Sequence, residues 1–81
     1  MAASYTELLT AVVKPLLGAP DALVVAETRN KHAVRLDFEV DPDDVGRMIG
    51  KGGGNIRAIR AVLDFAAAQN DQRVVAELKE A

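Results

Sequence analysis

The sequence has no cysteine, no tryptophan, one histidine and only three aromatic residues in 81. Without cysteine there is no disulfide staple and no thiolate metal site. His32 alone falls short of the four Cys or His ligands of a structural zinc and of the histidine pair of a helical zinc protease. No apolar run approaches the roughly 20 residues that cross a bilayer. Met1–Glu7 has no basic stretch of the kind that opens a signal peptide. The expectation is a cytoplasmic protein with no membrane span, no metal and no cofactor. With 49% apolar residues the chain is too hydrophobic for disorder. Its length suits one small domain, residues 1–81, which buries only about 60% of its unfolded surface. The net charge of −2 by itself argues against a nucleic-acid binder, because affinity for phosphate comes largely from Lys and Arg.

Hydrophobic periodicity predicts six elements. Ser4 and Glu7 form a capping box ahead of a helical stripe through Leu8, Leu9, Val12, Val13, Leu16 and Leu17, so a first helix is expected over about 4–17. Pro15 within it predicts a kink or an early end. Leu23–Thr28 and the alternating Val34, Leu36, Phe38 and Val40 predict an antiparallel hairpin. At its tip, Asn30 is available for a left-handed turn and His32 is a solvated turn residue. Asp41-Pro42-Asp43-Asp44 is a helix start whose carboxylates act as caps, since a calcium loop needs a longer ligand pattern. A short helix runs through Val45, Met48 and Ile49 to Gly50. Another starts near Asn55 and ends near Ala68, with Ile56, Ile59, Leu63, Ala66 and Ala67 inward. Gln69-Asn70-Asp71 breaks it, and Val74, Ala76 and Leu78 form a last strand. A helical crossover between strands makes them parallel. The expected architecture is α+β, a three-stranded mixed sheet with helices packed on one face.

The sharpest chemistry lies in Gly50-Lys51-Gly52-Gly53-Gly54, where so many glycines predict a loop. A Walker loop needs GxxxxGK with Ser or Thr next, but Gly46 to Gly50 is one residue short and Gly52 follows Lys51. A dinucleotide fingerprint needs a third Gly where Asn55 stands, and a strand before it. What fits is I-G-x-x-G-x-x-I, from Ile49 to Ile56 between two helices. It resembles the signature of the KH domain, whose GxxG loop clamps about four nucleotides of backbone. Gly50 and Gly53 let a phosphate approach the backbone, the following helix offers free amides, and Lys51 adds charge. Bases would lie in a groove between the helix pair and a neighbouring strand. A plain glycine linker would need the isoleucines, Lys51 and the element order to coincide by accident.

The element order α-β-β-α-α-β resembles the type II KH arrangement over nearly the whole chain. Val13-Lys14-Pro15-Leu16, Pro20-Asp21-Ala22-Leu23, Val45-Gly46-Arg47-Met48-Ile49-Gly50-Lys51 and Ala58-Ile59-Arg60 are similar to the small bacterial single-KH family KhpA. That resemblance implies a non-catalytic, cytoplasmic single-stranded RNA-binding protein and RNA chaperone with no small-molecule substrate. It implies pairing with itself and with KhpB, a Jag-type KH protein, and a link to cell shape and wall synthesis. The resemblance puts the loop roles on Gly50, Lys51, Gly52 and Gly53, and the expected RNA site adds Ile49, Gly54 and Asn55, with Arg47, Arg57 and Arg60 supplying charge. Gly54 departs from the pattern, standing where Lys or Arg is common.

Residues 46–63 hold four bases and no acid, while the remainder holds six bases and twelve acids. The net charge therefore conceals a basic site on an acidic body. On the last helix, Ala58, Ala61, Val62 and Phe65 lie roughly opposite Ile56, Leu63 and Ala67. This second apolar face predicts a two-fold dimer contact, the alternative being that Phe65 folds back onto its own domain. The function expected is binding of single-stranded RNA with little sequence specificity. The alternative is a protein-interaction KH subunit with little RNA affinity of its own.

Overall fold

The computed structural model of the chain describes residues 4–79. Helix α1 spans Tyr5–Val13, strands β1 and β2 span Val24–Arg29 and Ala33–Glu39, helices α2 and α3 span Val45–Ile49 and Gly54–Ala68, and strand β3 spans Arg73–Leu78. The sheet order is β1-β2-β3. β1 and β2 are antiparallel, with Val24 opposite Glu39 and Arg29 opposite Val34. β2 and β3 are parallel, with Ala33 opposite Arg73 and Phe38 opposite Leu78. The expected α+β architecture is present. Alternate residues Val34, Leu36 and Phe38 of β2 are fully buried against Tyr5, Leu9 and Val13 of α1 and Ile56, Ile59, Leu63 and Ala67 of α3. Each such side chain taken out of water contributes about 1.5–3 kcal/mol.

Local differences from the periodicity have specific causes. The α-helix ends at Val13 and a 3-10 turn, Lys14–Leu16, carries the chain on. Pro15 has no amide to donate to the i−4 carbonyl, so the helix cannot continue as expected to residue 17. Ser4 does cap α1, its Oγ accepting from the Glu7 amide at 3.2 Å. The hairpin tip is closed by the Asn30 side chain, whose Oδ1 accepts from the His32 and Ala33 amides at 2.9 and 2.8 Å. Asn30 thus acts as an Asx turn and does not use the left-handed region. That region is taken by Asp71, at φ 58°, in the turn after α3. Tyr5 spans the ends of the chain, donating to Gln72 Oε1 at 2.8 Å and accepting from Asn70 Nδ2 at 3.2 Å.

The carboxylates before α2 divide their work. Asp41 Oδ1 caps, accepting from the Asp43 amide at 2.9 Å. Asp44 is no cap. It is buried, and its two oxygens accept from the Gly18 and Ala19 amides, each at 3.0 Å. Arg47 Nη1 lies 3.3 Å from the same carboxylate. This clasp ties the turn after α1 to the start of α2. The Gly18 and Ala19 amides, followed by the Arg47 charge, hold the Asp44 carboxyl below the usual carboxylate range. A lowered folded-state pKa contributes stability that is present above the unfolded value of about 3.9 and lost as pH falls through the folded value. Asp44→Asn is therefore expected to lower the melting temperature at neutral pH, because its amide presents a donor to a donor. Thermal melts from neutral to acid pH check this, and the gap between wild type and variant should begin to narrow near about pH 4 and close as pH falls through the lowered folded-state value.

Candidate nucleic-acid interface

The glycine segment links α2 to α3 through a sharp reversal. Gly50 has φ 73° and ψ 173°, a region open essentially to glycine alone. A Cβ there would also lie 2.8 Å from Asn55 Cγ. Asn55 occupies that space because its Nδ2 donates to the Arg47 carbonyl at 2.7 Å, closing the end of α2. Lys51–Gly53 form a single 3-10 turn, interrupted by Gly52 in the left-handed conformation (φ 65°, ψ 18°). Gly53 precedes α3 as its N-cap with no side-chain bond to the first amides. Gly54 is not in the loop as expected. It is the first residue of α3, with φ −62° and open space around its Cα.

Each arginine expected at the site has an internal bond. Arg57 Nη1 donates to the Gly52 carbonyl at 2.6 Å, bracing the loop from the first turns of α3. Arg60 Nε donates to the Ala76 carbonyl at 3.1 Å, fastening α3 to the outer edge of β3. Arg47 Nη1 reaches the Leu16 carbonyl and Asp44, both at 3.3 Å, so its guanidinium lies over the turn after α1. Lys51 is exposed and belongs to none of the four ion pairs among the described residues.

Between α3 and β3 lies an open groove of about 300 Å³, lined by Arg60, Asp64, Val74, Val75, Ala76 and Glu77. Helix α3 thus carries three faces. One packs on the core and one borders this groove. The third points to solvent with Ala58, Ala61, Val62 and Phe65, where Phe65 is 71% and Val62 43% exposed. Within its own chain Phe65 does not fold back.

The element order, the mixed three-stranded sheet and the Gly-x-x-Gly turn between two helices agree with a sequence comparison. Residues 6–78 match the KH domain of the KhpA/KhpB family. The chain belongs to that family. Among its relatives is an RNA-binding protein KhpA of Clostridium acetobutylicum, 38% identical over 72 residues that cover 89% of this chain and 96% of the relative. An RNA-binding protein KhpA of Chlamydia pneumoniae is 34% identical over 74 residues, 91% of this chain and 95% of that one. Its Listeria monocytogenes counterpart is 31% identical over 91% of this chain and 97% of its own length.

In this KH domain the structure gathers Ile49, Gly50, Lys51, Gly52, Gly53 and Asn55 at one reversal, with Arg57 on it and Arg60 further along the same helix. Arg47 joins them only through its carbonyl. Asp64 escapes notice in the sequence, because the acid-free stretch ends one residue before it. Its spacing from Arg60, one helical turn, is the signal that places both on one side of α3. Among the described residues no group of three or more His, Asp or Glu is placed to hold a metal, and no helix is long and apolar enough to cross a membrane.

Proposed function

We propose that the chain is a non-catalytic, single-stranded RNA-binding protein that holds RNA backbone on the Gly50–Gly53 turn. The observation that carries this reading is the conformation of the turn. Three glycines at positive φ keep side chains off the loop, Lys51 projects from it, and no side chain caps the first amides of α3. The Gly53 and Gly54 amides are spent within the turn, on the Gly50 and Lys51 carbonyls, so the glycine-lined surface, the positive end of a 15-residue helix and a lysine are what suit a phosphate. The name carried by the relatives supports the same ligand. Arg57 acts here as a brace for the loop that still presents guanidinium N–H groups, and Arg60 does the same for the groove. Salt dependence is the test. Titration with a single-stranded RNA at increasing salt should give a falling log affinity, whereas a slope near zero favours a protein-interaction subunit instead.

That second reading rests on a specific observation, the outward apolar face of α3. An exposed Phe65 beside Ala58 and Ala61 suits a self-complementary helix pairing, so the chain acts as a homodimer or pairs through this face with a KhpB-like, Jag-type protein. Val62→Asp and Phe65→Glu should convert a dimer to a monomer in sedimentation at micromolar concentration, and unchanged sedimentation counts against the interface. RNA-chaperone activity, post-transcriptional regulation in the cytoplasm and a link to cell shape and wall synthesis are the cellular roles that the family resemblance supports.

A further inference from the structure

Phosphate contacts position a nucleic acid but carry no sequence information, so any choice among bases falls to the groove beside the loop. Its β3 wall is a free strand edge. Arg73 and Lys79 donate their amides toward the β2 side, to the His32 and Phe38 carbonyls. By the alternation of a strand, Val74, Ala76 and Leu78 turn their backbone groups outward into the groove. The outward carbonyl of Ala76 is occupied by Arg60 Nε. A base docking there meets a guanidinium in place of that carbonyl. The bond spends one of the five guanidinium donors and fixes the plane of the rest.

Asp64 lies one turn further along α3 and lines the same groove. Among the described residues it takes part in no ion pair. Glu77, the other acid at the groove, lies 3.5 Å from Arg35. Asp64 is therefore the uncommitted carboxylate, and it repels phosphate, so a strand held at Lys51 must turn a base and not its backbone toward it. The groove presents an array of donors, a pair of acceptor oxygens and the apolar flank of Val74 and Val75. Guanine answers both polar groups. Its O6 and N7 accept from an arginine, and its adjacent N1–H and N2–H groups donate to the two oxygens of a carboxylate. Uracil has one ring N–H and no amine. Adenine and cytosine have an amine with no N–H beside it.

We infer that the α3–β3 groove selects guanine in a bound single strand, with Arg60 donating to O6 and N7 and Asp64 accepting from N1–H and N2–H. This rests on the RNA-binding reading above and departs from the expectation of little sequence specificity. The test uses the full chain and short oligouridine RNAs with one central G, A, C or inosine, with binding followed by fluorescence anisotropy. The G-containing strand should bind at least about fivefold more tightly than the A- and C-containing strands. Inosine, which lacks the 2-amine, should lose part of that gain without any change to the protein. Asp64→Asn should level the preference while Lys51-dependent binding persists, and Arg60→Gln should level it at an affinity lowered for every strand. Equal affinity for all the strands, or a guanine preference that survives Asp64→Asn, overturns the inference and leaves RNA binding standing. Failure to bind any strand overturns both.

Discussion

Replacing Lys51 and Gly52 together by aspartate is expected to abolish RNA binding and leave the fold intact. The substitution removes one cation and sets two carboxylates against the phosphate that the turn is proposed to hold. Without the charge-assisted hydrogen bond, and with repulsion in its place, affinity should fall on the order of a hundredfold or more. The structure explains why the fold survives. Both residues are exposed, and nothing lies within 4 Å of a Cβ built on Gly52. Its left-handed backbone is one that aspartate tolerates better than most residues. The bond from Arg57 reaches the Gly52 carbonyl, which the substitution keeps. Anisotropy titrations with single-stranded RNA, alongside circular dichroism, check the pair of claims. Wild-type affinity in a folded variant would remove the turn from the RNA site. The single Lys51→Ala variant should flatten the salt dependence by about one unit of slope.

The largest expected loss of stability comes one residue earlier. Gly50→Ala forces a Cβ into a backbone region that excludes it and against Asn55 at 2.8 Å. Backbone strain of about 1–3 kcal/mol adds to overpacking of about 1–3 kcal/mol. Roughly 2–6 kcal/mol is a large share of the roughly 4–12 kcal/mol expected for a chain of this length. Urea unfolding should show a lower midpoint at an unchanged slope. Gly54→Ala is the contrast. Its backbone is helical and its surroundings are open, so it should stabilise by about 0.5–1 kcal/mol. Two glycines in one motif thus carry opposite signs, and destabilisation by both substitutions would contradict the geometry.

What is legible in the sequence is whatever depends on near neighbours. Periodicity places α3 to within a residue, because its inward stripe from Ile56 to Ala67 repeats at helical spacing and glycines precede it. The alternation from Val34 to Val40 places β2 in the same way. What is hidden depends on partners far along the chain. Asp44 sits in a run that looks like helix capping, yet its carboxylate is used on amides 25 and 26 residues away. Arg47 adds to a basic patch in the sequence, but in the fold that carboxylate draws its guanidinium aside. Arg60 and Asp64 resemble ordinary solvated helix charges, and only the position of the β3 edge turns them toward one groove. Gly54 reads as one of a run of loop glycines, although its own φ is helical.

The parallel β2–β3 ladder bears on how the protein is made. Residues paired across it, such as Ala33 and Arg73, are separated by the whole of α2 and α3. The hairpin is synthesised before its third strand, and until that strand is available Val34, Leu36 and Phe38 lack part of their cover. Tyr5 likewise waits for Asn70 and Gln72. Non-local pairing of this kind slows folding and leaves a strand edge open to other chains. Release of the segment through Leu78 is thus the moment at which the nascent chain can close its sheet. A synthesis pause shortly before it would prolong the species most prone to aggregate.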